Sequence, residues 1–517
     1  MARRWWAIMG WFGLVLCLSL TLSACDNGQN IFDKISGSSQ ALDIADTRSA
    51  NGGQSEGAAS YPVHLKMLYP GMPQLDEAVV EEVMNEYLKD KINAVIDLQP
   101  IDWTQWDNDI TLRIASGEEM DIIFTAQWNG HALNVSKGVF VELENLLPKY
   151  GQGILNTLDP TFLQGARING KNYAVPTNKE LAVQGGVIYR SDIADELHLD
   201  MSKVKTVDDL GPILEQVKQK RPDFIPLALR QGENFNAHYF TQFDYLGDIF
   251  LPGVIDKTKD NKTVVPLYEL AQYKTNLKIT REFMQKGYIN ADAATTSMST
   301  GEFLKNGNTF MITSSLTPGK AEELASAYNL QGKLKQIVMT ERTVSTGEIT
   351  GSMLGISATS QHPEEAMMFI NLLHTDKYLN NLINFGIEGV HYTRNGEIIT
   401  ATERTKDYAP GASWMFGNQF LNYLWDTEDP QKWEKLREFN NGVKKSIALG
   451  FTVNADKIKT EGAVIQSILK QYDPVLDTGM VDPDKILPEY IELLKAAGID
   501  KIIADKQLQF DQYLASK

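Results

Sequence analysis

The chain has 517 residues, 43% hydrophobic and 22% charged, with 39 Gly and 19 Pro; this is a globular composition, too apolar for disorder and too long for one core, so it predicts at least two lobes. A net charge of −17, with no basic stripe interleaved with aromatics, excludes a nucleic-acid surface and chiefly favours solubility. The only two cysteines, Cys17 and Cys25, fall within the first 25 residues, which rules out a disulfide framework or a cysteine-based zinc site in the body.

In chain order, Met1-Ala2-Arg3-Arg4 is a basic head, Ala7 to Ala24 carries no charge, and Leu22-Ser23-Ala24-Cys25 follows. This resembles a bacterial lipoprotein signal: residues 1–24 would be cleaved, and the Cys25 thiol would carry a thioether-linked diacylglycerol at the extracytoplasmic face of the cell membrane. A plain secretory signal or a spanning anchor is the alternative, because 18 uncharged residues approach the ~20 that span a bilayer. Residues 25–60 then read as the lipidated cysteine and a flexible tether, with the tract Asn51-Gly52-Gly53-Gln54-Ser55-Glu56-Gly57. A coil of that length spans on the order of 30 Å.

From Tyr61 the pattern becomes strand–helix alternation. Val63 to Tyr69 alternates as a strand, Pro70-Gly71 turns, and Leu75 to Lys91 has Val79, Val83 and Tyr87 at helical spacing. Ala94 to Leu98 predicts a second strand, Trp106 to Ser116 a helix, and Asp121 to Phe124 a short buried strand. Further on, strands are expected at Ala182–Tyr189, Ile225–Leu229, Asn308–Thr313 and Met353–Ser357, and helices at Val207–Lys220, Leu267–Lys286 and Pro363–His374. The last 140 or so residues read as mostly helical. Such alternation predicts an α/β fold with parallel-rich sheets flanked by helices and ligands at the carboxyl ends of the strands.

A series of short signatures carries a family resemblance: Gly117-Glu118-Glu119-Met120-Asp121-Ile122-Ile123-Phe124, Gly138-Val139-Phe140-Val141-Glu142-Leu143, Ile168-Asn169-Gly170-Lys171-Asn172-Tyr173-Ala174-Val175-Pro176 and Val187-Ile188-Tyr189-Arg190-Ser191-Asp192. In order and spacing they resemble family 1 extracellular solute-binding proteins, the receptors of ABC importers, with maltose-binding protein among them. Towards the C-terminus, Gly386-Ile387-Glu388-Gly389-Val390-His391-Tyr392, Ser413-Trp414-Met415-Phe416-Gly417-Asn418 and Ala496-Ala497-Gly498-Ile499-Asp500-Lys501 resemble the long-form lipoproteins of Bacillus-like bacteria, which carry an uncharacterised C-terminal domain. The resemblance implies a two-lobed periplasmic-binding-protein-like fold (class II) with a helical C-terminal extension. Lobe one would take 61–177, lobe two 178–339, the return to lobe one 340–381 and the extension 382–517. Val175-Pro176-Thr177 would be the first hinge, consistent with proline's fixed φ and its tolerance at sheet edges.

A sugar site needs flat aromatic faces beside fixed polar groups. Trp128-Asn129 follows the buried strand and would sit where it opens into a cleft; the alternative is a Trp packed under a loop. Trp103, after the second strand, follows the same logic, whereas Trp106 reads as helix packing. Glu180, just past the proposed hinge, matches a ligand-contacting position of the family's sugar binders, or is a solvated charge. Arg230 and Gln231 follow a lobe-two strand and would face the cleft, with Arg230 a cation for a uronate. Trp414 and Asn418 would share one face if their segment is helical, either on ligand or in the helix core. Glu388, His391 and Tyr392 read as a tight turn.

The expected function is a lipid-anchored receptor that captures a carbohydrate, an oligosaccharide for preference, between hinged lobes and delivers it to an ABC permease. No cofactor, catalytic residue, metal or nucleic acid is expected, and the resemblance implies a monomer. The alternatives are a surface glycoside hydrolase or lyase, for which acidic pairs are too numerous to exclude, and a non-transport sensory lipoprotein. The seven histidines are scattered without ligand spacing, and two lysines in Asp256-Lys257-Thr258-Lys259-Asp260-Asn261 speak against a calcium loop there.

Overall fold

The computed structural model describes residues 61–517; the signal, Cys25 and the tether lie outside the described residues. The chain enters as β1 (Val63–Pro70), crosses over through helix Glu77–Ile92 and returns as β2 (Ala94–Ile101), parallel to β1 from Val63↔Ala94 to Pro70↔Ile101. Parallel strands need such a crossover, and this one ends on Asn93 in the left-handed region (φ 50), whose N–H caps the Lys89 carbonyl and redirects the chain straight into β2. The buried face of the helix is Val80, Met84 and Leu88 rather than the expected Val79, Val83 and Tyr87. Both series repeat every four residues, so spacing could not choose between them; Tyr87 instead donates its hydroxyl to Asp376 (2.6 Å).

After helix Trp106–Ser116, β3 (Ile122–Thr125) pairs parallel with β1 and is buried along its whole length. β4 (Ala174–Pro176) closes the edge, where a proline costs no ladder bond. The chain then leaves this sheet for β5 (Gly185–Arg190) and β6 (Ile225–Ala228), passes through three short strands, β7 (Phe243–Asp244), β8 (Gly253–Asp256) and β9 (Val265–Pro266), and continues as β10 (Thr309–Ser315) and β11 (Leu334–Val338). After β12 (Thr343–Val344), β13 (Met353–Ile356) returns to the first sheet, where it runs antiparallel to both β3 and β4. The two main sheets have the orders β2-β1-β3-β13-β4 and β11-β5-β10-β6, so each is mixed rather than purely parallel.

Each sheet has its own core. The first is built on Leu65, Met67, Ile122 and Phe124 with Phe369 and Ile370 of helix Pro363–Thr375, and it also takes in Tyr408, Met415 and Phe416. The second carries apolar clusters on its two faces, one around Val187, Leu214 and Phe310 and one around Ile188, Ile312 and Leu316. A third core joins β7–β9 and Tyr273 to the C-terminal helices Lys459–Asp477, Pro483–Ala496 and Ile499–Ser516. Residues 243–277, within the span expected for lobe two, therefore pack with the chain's end. Lys506 seals this third core: its buried ammonium donates to the carbonyls of Tyr245 (2.8 Å), Gly253 (2.9 Å) and Leu251. Residues 382–425, ahead of the helical end, carry β14 (Tyr392–Asn395), β15 (Ile398–Ala401) and β16 (Leu424–Trp425) in a small sheet.

Between the two main sheets, three segments run side by side. The Val183 N–H donates to the Thr343 carbonyl and the reverse bond is also made (2.8 and 2.9 Å), while β12 pairs parallel with β17 (Lys444–Lys445). Asn440 Oδ1 accepts from the amides of Leu181 and Ala182 at 2.8 and 3.1 Å, tying the first crossing to the third.

Candidate functional site

The parallel strands β1, β2 and β3 point their carboxyl ends the same way, and the residues that follow two of them carry Trp103 and Trp128. These rings stack, with centroids 6.1 Å apart and planes 28° from parallel. Trp414, almost 290 residues further along the chain from Trp128, stacks on Trp103 from the same side of the fold (6.2 Å, 20°). Phe124, at the end of β3, supports both flanking rings, 5.7 Å from Trp128 and 5.8 Å edge-on from Trp414. Trp106, the helix residue expected to be packing, is buried behind it at 6.2 Å. Trp103 remains 43% exposed while Trp128 and Trp414 are half-buried, so the stack is partly open to solvent.

The platform is held rigidly. Trp128 Nε1 donates to the Gly351 carbonyl at 2.8 Å, which fixes the ring to the loop between β12 and β13. Behind it, His131 Nδ1 is 3.0 Å from Thr125 Oγ1; full burial pushes this imidazole down to about 3 and keeps it neutral. The Trp414 segment is strapped to the first crossing, because the Asn178 N–H donates to the Gly417 carbonyl (2.8 Å) and the Gln419 N–H to the Asn178 carbonyl (3.0 Å). Gly417 has φ 63, and a Cβ there would lie 2.1 Å from the Leu373 carbonyl oxygen, so only glycine lets this strap lie flat.

The polar residues expected around the aromatics divide. Asn129 uses Oδ1 to accept the Ala126 N–H (2.7 Å), closing its own turn, and leaves its amide nitrogen for other partners. Asn418 is spent internally: Oδ1 accepts from Phe420 N and Nδ2 donates to the His374 carbonyl. The segment from Trp414 to Asn418 is a turn, not a helix, so the expected one-turn spacing of these two does not exist. Glu180 is half-buried on the first crossing, 3.9 Å from Lys179. Arg230 donates Nε to the Gln231 carbonyl (3.3 Å) and lies 3.8 Å from Glu233, while the Gln231 side chain is exposed. His391 is fully buried; its Nδ1 accepts the Ile387 N–H and its Nε2 faces Asp76, as a satisfied turn requires. In the 256–261 loop, Asp256 is occupied by Thr258 and Lys259, and among the described residues no acidic or histidine cluster could hold a metal.

Two charge clusters were not legible as sites. Glu323, in helix Lys320–Ala327 of the second sheet, pairs with Lys320 (2.7 Å) and with Lys432 of helix Lys432–Phe439 (3.3 Å); Lys432 also pairs with Glu428 (2.6 Å). Burial pushes the Glu323 carboxyl up, but the two ammonium groups outweigh it and hold it down at about 2. A carboxyl so depressed is the opposite of a glycosidase's general acid. The other cluster is Lys257–Glu348, 3.1 Å apart and almost solvent-free, with Glu348 also accepting from Ser345 N and Oγ. It anchors the loop that presents Gly351 to Trp128. No sequence signal pairs residues about 90 or 110 positions apart; tertiary contact alone brings them together.

A family model described as bacterial extracellular solute-binding protein matches residues 69–379, and a domain of unknown function (DUF3502) matches residues 447–515. The chain is 31% identical over 455 residues to a carbohydrate ABC transporter substrate-binding protein of Streptococcus pneumoniae, covering 86% of this chain and 89% of that protein. The fructooligosaccharide ABC transporter substrate-binding protein FusA of the same organism is 29% identical over 229 residues, which cover 37% of this chain and 39% of FusA. Among solved structures, the N-glycan transport solute-binding protein NgtS from S. pneumoniae in complex with Man5GlcNAc superposes with a TM-score of 0.80 at 28% identity, covering 88% of this chain and 99% of that one. FusA in complex with kestose shares the fold, at a TM-score of 0.61 and 17% identity over 88% of this chain and all of that one.

Proposed function

The chain belongs to the family of bacterial extracellular solute-binding proteins, and we propose on that premise that it captures an extracellular oligosaccharide and delivers it unchanged to an ABC permease. The observation that carries this reading is the Trp103–Trp128–Trp414 platform, a partly exposed stack of indole rings at the carboxyl ends of parallel strands. Pyranose rings lie their C–H faces on such a surface, while hydroxyls seek fixed polar groups. Asn129, Glu180, Arg230 and Gln231 supply those groups from either side of the crossings. Capture closes the two lobes about the three crossing segments, and preference of the ligand for the closed form signals occupancy to the permease.

The chain performs no chemistry on the sugar, acts as a monomer, and is held at the membrane by lipid on Cys25. The similarity to a carbohydrate-transport protein supports the ligand class, and the similarity to NgtS makes Man5GlcNAc the first glycan to try. The test is thermal shift and calorimetry of the chain from Ser60 onward against Man5GlcNAc, fructooligosaccharides, other glycans, amino acids and peptides. At ~100-fold excess over Kd, binding stabilises by about 2.7 kcal/mol. A saturable shift with one glycan class and no product by chromatography is expected; product formation, or binding of peptides alone, overturns the reading.

A further inference from the structure

Away from the tryptophan platform, a cavity of about 560 Å³ lies in the seam between residues 164–170 of lobe one and the C-terminal segments 450–457 and 509–513. Its size is that of small-molecule sites, roughly 300–1,000 Å³. One wall is the Tyr513 ring, packed on Phe451 (5.4 Å) with its hydroxyl bonded to the Leu449 carbonyl. The Lys517 ammonium stands 4.6 Å from the centre of that ring. Gln509 is fixed by exchanging two 2.9 Å hydrogen bonds with the Asn454 backbone. The opposite rim is the tight turn Ile168–Lys171, with Asn169 and Gly170 both left-handed (φ 53 and 76).

The chemistry of this lining is unusual for the chain. The body carries a large acidic excess, yet this lining holds two cations, Arg167 and Lys457, against one acid, Asp456, and neither cation forms an ion pair among the described residues. Arg167 uses only Nε, towards Asn172 Oδ1 (3.3 Å), so its terminal nitrogens are free among the described residues. Lys457, an exposed side chain, makes no hydrogen bond or ion pair among the described residues. Asp456, the acid of the lining, accepts from Asn454 Nδ2 at 3.1 Å. The carboxamides of Gln164 and Gln512 are likewise uncommitted. A rigid aromatic wall, free carboxamides and two unpaired cations fit one ligand chemistry: a sugar ring bearing a carboxylate.

We propose that this seam is a second binding site, separate from the tryptophan platform, for an acidic saccharide unit of the uronate type. Arg167 and Lys457 take the carboxylate, the carboxamides the hydroxyls, and Tyr513 lines the apolar side. Because the seam joins lobe one to the C-terminal domain rather than lobe to lobe, occupancy need not follow closure of the main cleft.

The test is calorimetry of the chain from Ser60 onward with trigalacturonate, galacturonate, neutral maltotriose and inorganic phosphate, on wild type, Arg167→Ala/Lys457→Ala, Lys457→Arg and Trp103→Ala. Trigalacturonate should bind wild type and Trp103→Ala alike, at least ten-fold more tightly than maltotriose or phosphate, and weaken as salt rises. The double variant should lose at least ten-fold while melting within ~2 °C of wild type, and Lys457→Arg should keep binding. Tighter binding of the trimer than of galacturonate points to a polymer as the source, and equal binding to the free sugar. Absence of trigalacturonate binding, loss in Trp103→Ala rather than in the double variant, or equal affinity for phosphate overturns the proposal.

Discussion

Replacing Glu348 by Gln removes one charge from the Lys257–Glu348 pair without changing its shape. The carboxylate accepts from Lys257 Nζ at 3.1 Å and from Ser345 N and Oγ at 2.5 and 2.6 Å, and the two side chains are 1% and 7% exposed. A glutamine oxygen can still take the Ser345 bonds, but the ammonium of Lys257 is left buried without its counterion. The nearby acid Asp244 is already committed to Ser446 Oγ (2.6 Å) and Leu246 N (2.9 Å). Breaking a buried pair from one side costs about 3–5 kcal/mol, whereas replacing both partners with apolar residues of similar volume is often near neutral. For a body of this size the unfolding entropy is about 1 kcal/mol per kelvin, so E348Q should melt about 3–5 °C lower if the whole body unfolds together.

Burial pushes the Glu348 carboxyl up, but Lys257 and the Ser345 bonds outweigh it and hold it below the ordinary range. A depressed acid contributes stability above its unfolded pKa and loses it as pH falls through the folded one, so the gap between wild type and E348Q should narrow in acid. Scanning calorimetry at pH 7 and pH 3 reads this, with K257M/E348M as the second variant. The same substitution loosens the loop carrying Gly351, so Trp128 should show a shifted emission. A melting point within 1 °C of wild type for E348Q, or a K257M/E348M variant less stable than E348Q, would refute the argument.

Trp103→Ala removes a ring that is 43% exposed, so the melting point should move by less than ~2 °C while oligosaccharide affinity, by calorimetry, falls at least ten-fold. Asp477 lies one helical turn from Asp473, and burial, with the neighbouring carboxylate repelling Asp473, pushes both pKa values up although Asn236 and Tyr490 donate to them. An acid raised in the folded state is a penalty when ionised, so D477N should stabilise the protein at pH 8 by about 1–3 kcal/mol and have little effect below pH ~4, measured by urea denaturation. Cys25→Ala should abolish incorporation of labelled fatty acid into the chain and leave the precursor uncleaved, read by metabolic labelling and the mass of the chain; labelling that persists would refute lipidation at Cys25.

Part of the candidate site was legible because strand ends are legible. Trp103 and Trp128 each follow a short run of apolar residues, and a parallel sheet puts the residues after its strands at one edge. Trp414 belongs to the same platform, but its expected helical partner Asn418 does not: the segment is a turn forced flat by Gly417, and a turn has no 3.6-residue face. The helix Glu77–Ile92 shows a second limit, since two interleaved four-residue series each satisfy helical spacing and only contact with the sheet selects Val80, Met84 and Leu88. Lys257–Glu348, Glu323–Lys432 and the seam lined by Arg167 and Lys457 join distant stretches of chain, and such pairs leave no mark at any local period.

By itself the sequence determined what local patterning and composition encode: an α/β body, a solute-binding-protein family signature and the aromatic residues after the strands. Only the tertiary structure decided which faces became core, that residues 243–277 pack with the C-terminal helices, and which charges met as buried pairs or stayed unpaired. The division has one physical cause. Backbone periodicity and turn chemistry act over a few residues, whereas burial and ion pairing depend on which surfaces the folded chain brings within a few ångströms of each other.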